Sequence, residues 1–314
     1  MIRSRITGTG RAVPPKVLTN ADLARMVDTS DAWIVERTGI RERHILDPSQ
    51  AASDLATEAG RIACRKAGLD PSQVDCIIVG TVTGDCPFPA TATFVQKKLG
   101  ARSGGCAFDL SAACAGFLYG VSIADAFLRA GQFKNVLVIG VEVLSRITDW
   151  TDRGTCILFG DGAGAVLMTA GDGGPREVLS THLFADGALT DILLQPVGGS
   201  REPLTADNLA SKRHLIQMNG REVYKHAVRN MAAGARTALD ANEFSPDDVT
   251  WVIAHQANIR ILEGVSDRVG IPMSRFFTNV ERYGNTSSAS VPTALDEAIE
   301  MGKIRSGDLL LFAA

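Results

Sequence analysis

At 314 residues, with 45% hydrophobic and 21% charged content, the chain is long enough to bury a large core and too long for one average domain, so two fused halves are expected. Its 32 basic and 35 acidic residues leave a formal charge of -3, which offers no global field for nucleic acid or for an anionic membrane surface. No run approaches a membrane span, the opening MIRSRITGTG lacks the apolar stretch of a secretory signal, and the six cysteines (Cys64, Cys76, Cys86, Cys106, Cys114, Cys156) form neither C-x-x-C pairs nor zinc-type clusters with histidine; a cytoplasmic protein with reduced thiols and no metal is expected.

In chain order, Leu55, Ala59, Ile62 and Ala63 recur at helical spacing after Ser53, a reasonable N-cap, and the pattern ends at Gly68 before the turn DPSQ. A buried strand is predicted over 74–79. Residues 115–128 are apolar on nearly every face, with Gly116 and Gly120 permitting close approach, which predicts a helix surrounded by protein. The run VLVIGVEV, 136–143, reads as a strand covered on both faces. Further on, Val223, Ala227, Met231 and Ala235 mark a helix, SPDD a turn and 249–254 a strand. Setting AGLDPSQVDCIIVG beside ANEFSPDDVTWVIAH aligns Val74 with Val249, and setting LRAGQFKNVLVI beside IEMGKIRSGDLLLF aligns Gly131 with Gly302. Two blocks matched at nearly one offset predict an internal duplication. The second offset carries Cys114 onto Asn285, each before a helix, and so predicts a site where the halves meet.

Cys114 in DLSAACAGF follows a strand-like segment and opens the buried helix. The unpaired N–H groups and partial positive charge of a helix start favour thiolate, so a lowered pKa is expected; a small apolar plug is the competing reading. His255 closes WVIAH and opens HQANIR, at a strand end where catalytic groups of α/β proteins collect; an ordinary packed histidine is its competitor. His44, His182, His214 and His226 lack such contexts and are assigned to surface or structure. Asn285 in YGNTSSASVP sits in a turn leading into a helix, with Ser or Thr available as cap; alone it reads as a turn residue. Together the three suggest more. A neutral histidine and an amide can both donate to one enolate oxygen while the cysteine holds an electrophile.

The segments DLSAACAGF, DWTDRGTCILFGDGAGAVL, HQANIRI and GNTSSASVP, in that order and with TSDAWIVERTGIRER near the start, closely resemble β-ketoacyl-acyl carrier protein synthase III from the N-terminus almost to the last residue. The resemblance implies an α/β thiolase fold, with two duplicated βαβαβαββ halves in a five-layer αβαβα sandwich, and a homodimer. Residues 1–172 are the half with the nucleophile and 173–314 the half with His and Asn. It implies that Cys114, His255 and Asn285 are catalytic. Cys114 takes an acyl group, acetyl first in mind, from acyl-CoA; malonyl-acyl carrier protein then decarboxylates and attacks, initiating fatty acid synthesis. The coenzyme A thioester is substrate, and no cofactor is implied.

By the same resemblance Trp33 and Arg153 sandwich the adenine, and Thr29, Arg37 and Gly220 lie along the nucleotide and pantetheine path. Gln256, Ala257, Asn258, Ile259 and Arg260 match the carrier-protein contact, with Lys225 and Arg268 as nearby basic candidates that suit an acidic partner. A helix anchor for Trp33 and plain surface charge for Arg37, Arg153, Lys225 and Arg268 are the competing readings. Primer choice is assigned to pocket walls contributed partly across the dimer, near Phe88. GDGAGA, 160–165, looks like a nucleotide loop but precedes the strand-like VLM, so a structural turn is expected and not a dinucleotide fingerprint.

Two departures stand out. Arg221 replaces an Asn common in the family, and DLLLFAA stops before the Gly-rich turn that supplies an oxyanion-hole N–H beside that of the cysteine, so a truncated sequence is expected. A synthase of specialised metabolism is the nearest rival. A papain-type cysteine protease shares the Cys, His, Asn order but lacks the C-G-[SA]-C-[WY] signature, and a non-catalytic scaffold paralogue should have lost one of the three residues.

Overall fold

The computed structural model describes residues 3–171, 174 and 176–314. Its first sheet holds β1 (Arg3–Ala12), β4 (Cys76–Gly80), β5 (Cys106–Leu110), β6 (Asn135–Val143) and β7 (Asp161–Gly171) in the order β1-β7-β6-β4-β5. β5, β4 and β6 run parallel, while β7 is antiparallel to both β6 and β1. Between β1 and β4 come the hairpin β2 (Lys16–Thr19) and β3 (Glu42–Ile45), with the helices α1 (Asn20–Leu23) and α2 (Asp31–Thr38) between its strands, and then α3 (Ala52–Ala67).

α3 and α4 (Thr91–Leu99) cover one face, where Ile77, Val79, Leu137, Ile139, Ala163 and Ala165 join their apolar stripes. The other face carries Ile78, Val138, Val166 and Met168 against α5 (Gly116–Arg129) and α10 (Ser290–Glu300). Burial on both faces is why CIIVG and NVLVIGVEV read as continuous apolar runs rather than alternating ones. α5 itself lies within protein, as its near-uniform apolarity predicts.

The later chain adds β8 (Leu193–Leu194), α6 (Ala206–Ala210), β9 (Gln217–Met218), α7 (Gly220–Asp240), β10 (Trp251–Ala254), α8 (Ile259–Val269), α9 (Val280–Tyr283) and β11 (Leu310–Ala313). β10 and β11 pair in parallel. Their side chains alternate: Trp251, Ile253, Leu310 and Phe312 pack with the core under α5 and α10, while Val252, Ala254, Leu311 and Ala313 pack with α7 and α8. The helix α10 is tied back to β1, where Thr9 Oγ1 donates to Asp296 at 2.7 Å and Arg11 pairs with the same carboxylate at 2.7 Å. No helix among the described residues is long and apolar enough to cross a membrane.

Two expectations change. Ser53 is not the cap of α3; Ala51 is, with Asp54 accepting the Ala51 N–H at 2.8 Å, while the Ser53 amide and hydroxyl both bond Asp85, at 2.8 and 2.6 Å. A carboxylate brought up by the fold outcompetes the local cap. GDGAGA is mostly strand and not a turn, since β7 begins at Asp161, whose carboxylate accepts the Leu46 N–H at 2.7 Å and the Ser145 hydroxyl at 2.6 Å. The expected division at 172/173 lies outside the described residues.

Candidate active site

The site is assembled from two matching turns. After β5 a 3₁₀ turn, Ala113–Ala115, opens with Ala113 at φ 45° and runs into α5; a second, Ser287–Ala289, opens with Ser287 at φ 47° and runs into α10. The turns put Cys114 opposite Ser288. Asn285 therefore stands three residues before the position that the sequence offset assigned to it. Its backbone is clamped by the segment before β7, with Asn285 N–H donating to Leu158 O at 2.8 Å and Gly160 N–H to Asn285 O at 3.0 Å. The second turn presses on the strand ends of the first sheet, where Gly80 and Gly140 lie in register. A Cβ on Gly140 would overlap the Ser288 carbonyl, and one on Gly80 would lie 2.7 Å from Ser288 Oγ, so only glycine admits this approach.

Cys114, His255 and Asn285 line one cavity of about 1540 Å³. Cys114 is half-buried. Burial pushes its thiol above the ordinary range, and hydrogen bonds from the Ser287 hydroxyl and from its own backbone N–H only partly oppose this. The lowered pKa expected from the helix start is thus not found in the free thiol, because desolvation outweighs the helix terminus.

The imidazole of His255 is buried, with its backbone N–H bonded to Ala313 O at 2.8 Å. Nδ1 lies 2.7 Å from Ser290 Oγ, and that oxygen accepts the Gln256 N–H at 3.3 Å. With the Ser290 hydrogen directed to Nδ1, the ring proton sits on Nε2. Burial lowers the His255 pKa to about 4, so the ring is a neutral donor at physiological pH. Asn285 is oriented likewise: Oδ1 accepts the Ser287 N–H at 2.8 Å, so Nδ2 is free to donate. An N–H cannot accept, which settles which way the amide faces.

The serines after Asn285 are not caps. Neither α5 nor α10 has a side-chain cap; Ser290 serves His255 and Ser287 serves Asn285 and Cys114. A fourth polar group was not foreseen. Glu142 of β6 is fully buried, within 3.4 Å of Ser287 Oγ, and burial raises its carboxyl to about 8 against hydrogen bonds from Thr83 and Val82. The signal was present, as the lone charge in VLVIGVEV.

Trp33, Arg37 and Arg153 come together away from the cavity lining. Both guanidinium carbons lie over the indole, Arg37 at 4.6 Å and Arg153 at 5.2 Å, so in this state no third planar group fits between Trp33 and Arg153. Thr29 Oγ1 nearby in sequence is buried without a partner. Gly220 opens α7 at the surface, beside Met218 of the cavity wall, and Arg221 is exposed.

Of the expected carrier contacts, Gln256 is corrected. It is 1% exposed, its amide donates to Ala254 O and Phe277 O, and its oxygen accepts the Asn279 N–H, so it braces the loop and has no surface to offer. Ala257 lines the cavity; Asn258 caps α8 and donates to Arg37 O at 3.1 Å; Ile259 packs on Gly39. Arg260, Lys225 and Arg268 are exposed, and the last two border one shallow depression with Tyr224, Val228, Gly264 and Asp267.

The family description for 3-oxoacyl-[acyl-carrier-protein (ACP)] synthase III matches residues 108–187, and that for its C-terminal part matches 239–314. The chain is 49% identical over 309 residues to the β-ketoacyl-[acyl-carrier-protein] synthase III of Roseiflexus sp. (strain RS-1), covering 98% of this chain and 93% of that protein. The crystal structure of 3-oxoacyl-[acyl-carrier-protein] synthase III from Aquifex aeolicus VF5 superposes with a TM-score of 0.90 at 46% identity, over 98% of this chain and 94% of the other. The priming β-ketosynthase of the R1128 polyketide pathway also superposes, with a TM-score of 0.89 at 33% identity over 99% and 91%.

Proposed function

The chain belongs to the 3-oxoacyl-[acyl-carrier-protein] synthase III family, and on that premise we propose how its own residues carry out the initiating condensation of acyl-CoA with malonyl-acyl carrier protein. Cys114 attacks the acyl thioester and becomes acylated, releasing coenzyme A. Malonyl-acyl carrier protein then loses carbon dioxide, and the enolate oxygen is held by His255 Nε2–H and Asn285 Nδ2–H. The carbanion attacks the acyl-cysteine carbonyl and expels the Cys114 sulfur. Two neutral, preoriented donors suit an oxyanion because they need no reorganisation as charge develops. The observation that carries this reading is the common cavity, with Ser290 and Ser287 leaving one donor free on each partner.

The same reading builds the chain from two duplicated halves in five layers. The paired 3₁₀ turns and the alternating faces of β10 and β11 support it. It also makes the enzyme a homodimer. β5 is the edge strand of the first sheet, and Val82 and Phe88, in the loop that leads to its neighbour α4, are 41% and 84% exposed, an apolar face for a second copy to cover. Six unpaired cysteines fit a reducing cytoplasm. Coenzyme A is assigned to Thr29, Trp33, Arg37, Arg153 and Gly220, with Arg153 swinging off the indole to admit adenine. The acidic carrier is assigned to Arg260, Lys225 and Arg268.

Intact-protein mass spectrometry after incubation with acetyl-, branched- and longer acyl-CoAs tests the assignment. One acyl group on wild-type protein and none on Cys114→Ala is expected; acylation that survives the substitution would sink the nucleophile. The likeness to the R1128 priming enzyme gives the second reading, priming of specialised metabolism. A preference for longer acyl groups over acetyl in the same panel would favour it.

A further inference from the structure

We propose that Arg43 is a positioning residue for the condensation step, holding the Asn285 amide in place through the segment 157–160. The inference rests on Asn285 being a donor to the enolate. Arg43 lies on β3 with 0% of its surface exposed. Burial pulls its guanidinium down to about 10, so the group still carries its charge at neutral pH. A buried cation is costly unless partners offset the lost water, yet none of its hydrogen bonds goes to a carboxylate. Nη1 donates to Leu18 O of β2 at 3.1 Å and to Asn20 Oδ1 of α1 at 2.9 Å; Nη2 donates to Ile157 O at 2.8 Å.

Each side of this contact is built for it. Asn20 Nδ2 is taken by Asp31 Oδ1 and by Ile40 O, both at 2.8 Å, which leaves Oδ1 to face Arg43. Ile157 O meets no other donor among the described contacts, and the three residues after it form the clamp on Asn285: Leu158 O accepts the Asn285 N–H at 2.8 Å and Gly160 N–H donates to Asn285 O at 3.0 Å. The stem of Arg43 fills the middle of that clamp. A Cβ on Gly160 would lie 3.1 Å from Arg43 Cβ, and one on Gly284, the residue before Asn285, would lie 3.3 Å from it, so both chains of the clamp close onto the arginine. β3 is tied to the same turn by Arg41 N–H, which donates to Glu281 O at 2.8 Å.

The planar fork of a guanidinium reaches acceptors on two sides at once, whereas the single nitrogen of a lysine does not. Without Arg43 the hairpin and the segment 157–160 lose their common anchor, and Asn285 moves with that segment. Its amide is useful only where the enolate oxygen forms, and a misplacement of about 1 Å costs on the order of 10²-fold in rate. Cys114 is carried by a different turn. That turn packs elsewhere, since a Cβ on Gly116 at its end would meet Ser288 Oγ at 3.1 Å and Gly80 Cα at 3.3 Å. Arg43 therefore bears on condensation and leaves acylation alone.

The test is a double-mutant cycle on the two half-reactions, with acylation by acetyl-CoA read by intact mass and condensation read by product formation from malonyl-acyl carrier protein. Arg43→Lys is expected to slow condensation about ten- to a hundredfold and to leave acylation within about twofold of wild type. Placed in the Asn285→Ala background, the same change should alter condensation by less than about twofold, because the amide it positions is already gone. A merely structural arginine would slow both steps, and its loss would multiply with that of Asn285→Ala. Either result, or unchanged condensation in Arg43→Lys, overturns the proposal. Arg43→Gln, which is neutral and cheaper to bury, decides the matter should the lysine variant fail to fold; failure of both variants to fold makes Arg43 a stability element and overturns it too. Wild-type condensation in Asn285→Ala alone overturns the donor assignment instead, so the two failures are distinguishable.

Discussion

Asn285→Asp isolates the amide donor with little other change. The substitution keeps the volume and keeps Oδ1 as acceptor for the Ser287 N–H at 2.8 Å, so the turn that carries Ser287 stays pinned. What changes is Nδ2, a donor, which becomes an oxygen. Loss of one donor aimed at a developing oxyanion costs about 2.7 to 4 kcal/mol, or roughly 10² to 10³ in rate. The loss should fall on decarboxylation and condensation, because the enolate forms only then. Single-turnover mixing of acyl-CoA, followed by malonyl-acyl carrier protein, separates the two steps when read by intact mass and by product formation. Condensation should drop by the stated factor while acyl-enzyme formation changes far less. Lowering the pH should restore part of the loss, since a protonated carboxyl regains a donor; Asn285→Ala should show no such recovery. Equal damage to both steps, or full condensation activity at neutral pH, would refute the division of labour between Cys114 and the two donors.

Removing the nucleophile with Cys114→Ala should abolish acyl-enzyme formation while leaving the fold intact, checked by intact mass and circular dichroism. For His255 the ring titrates near 4 folded and about 6.5 unfolded, so its stabilising contribution is complete above 6.5 and is lost as the pH falls toward 4. Urea unfolding of wild type against His255→Gln should show a difference of order 3 kcal/mol building across that window, and parallel curves would contradict a buried neutral ring. Gly39→Ala should destabilise by about 1 to 3 kcal/mol in thermal or urea unfolding, since Gly39 ends α2 at φ 76° and a Cβ there comes within 2.9 Å of Ile259. Arg260→Glu should raise KM for malonyl-acyl carrier protein with kcat little changed, and the effect should shrink as salt is added; an unaltered KM would remove Arg260 from the docking surface.

The amino-acid sequence by itself determined which segments become helix and strand and which residue types reach the site. α5, β6 and β10 appear within a residue or two of their apolar patterns, because periodicity and uninterrupted apolar runs are local consequences of what each face must bury. Cys114, His255 and Asn285 were legible because each sits at a change of pattern, from strand to turn or from turn to helix. Tertiary structure alone decided what those side chains meet. Ser53 gave up its cap to Asp85, Gln256 turned inward to brace a loop, and Ser287 and Ser290 left their helix end to orient Asn285 and His255. Protonation belongs to this second class. The helix start argues for a lowered Cys114 pKa, but the burial that raises it arises only when distant segments of the chain close over the sulfur, and that long-range effect is the larger.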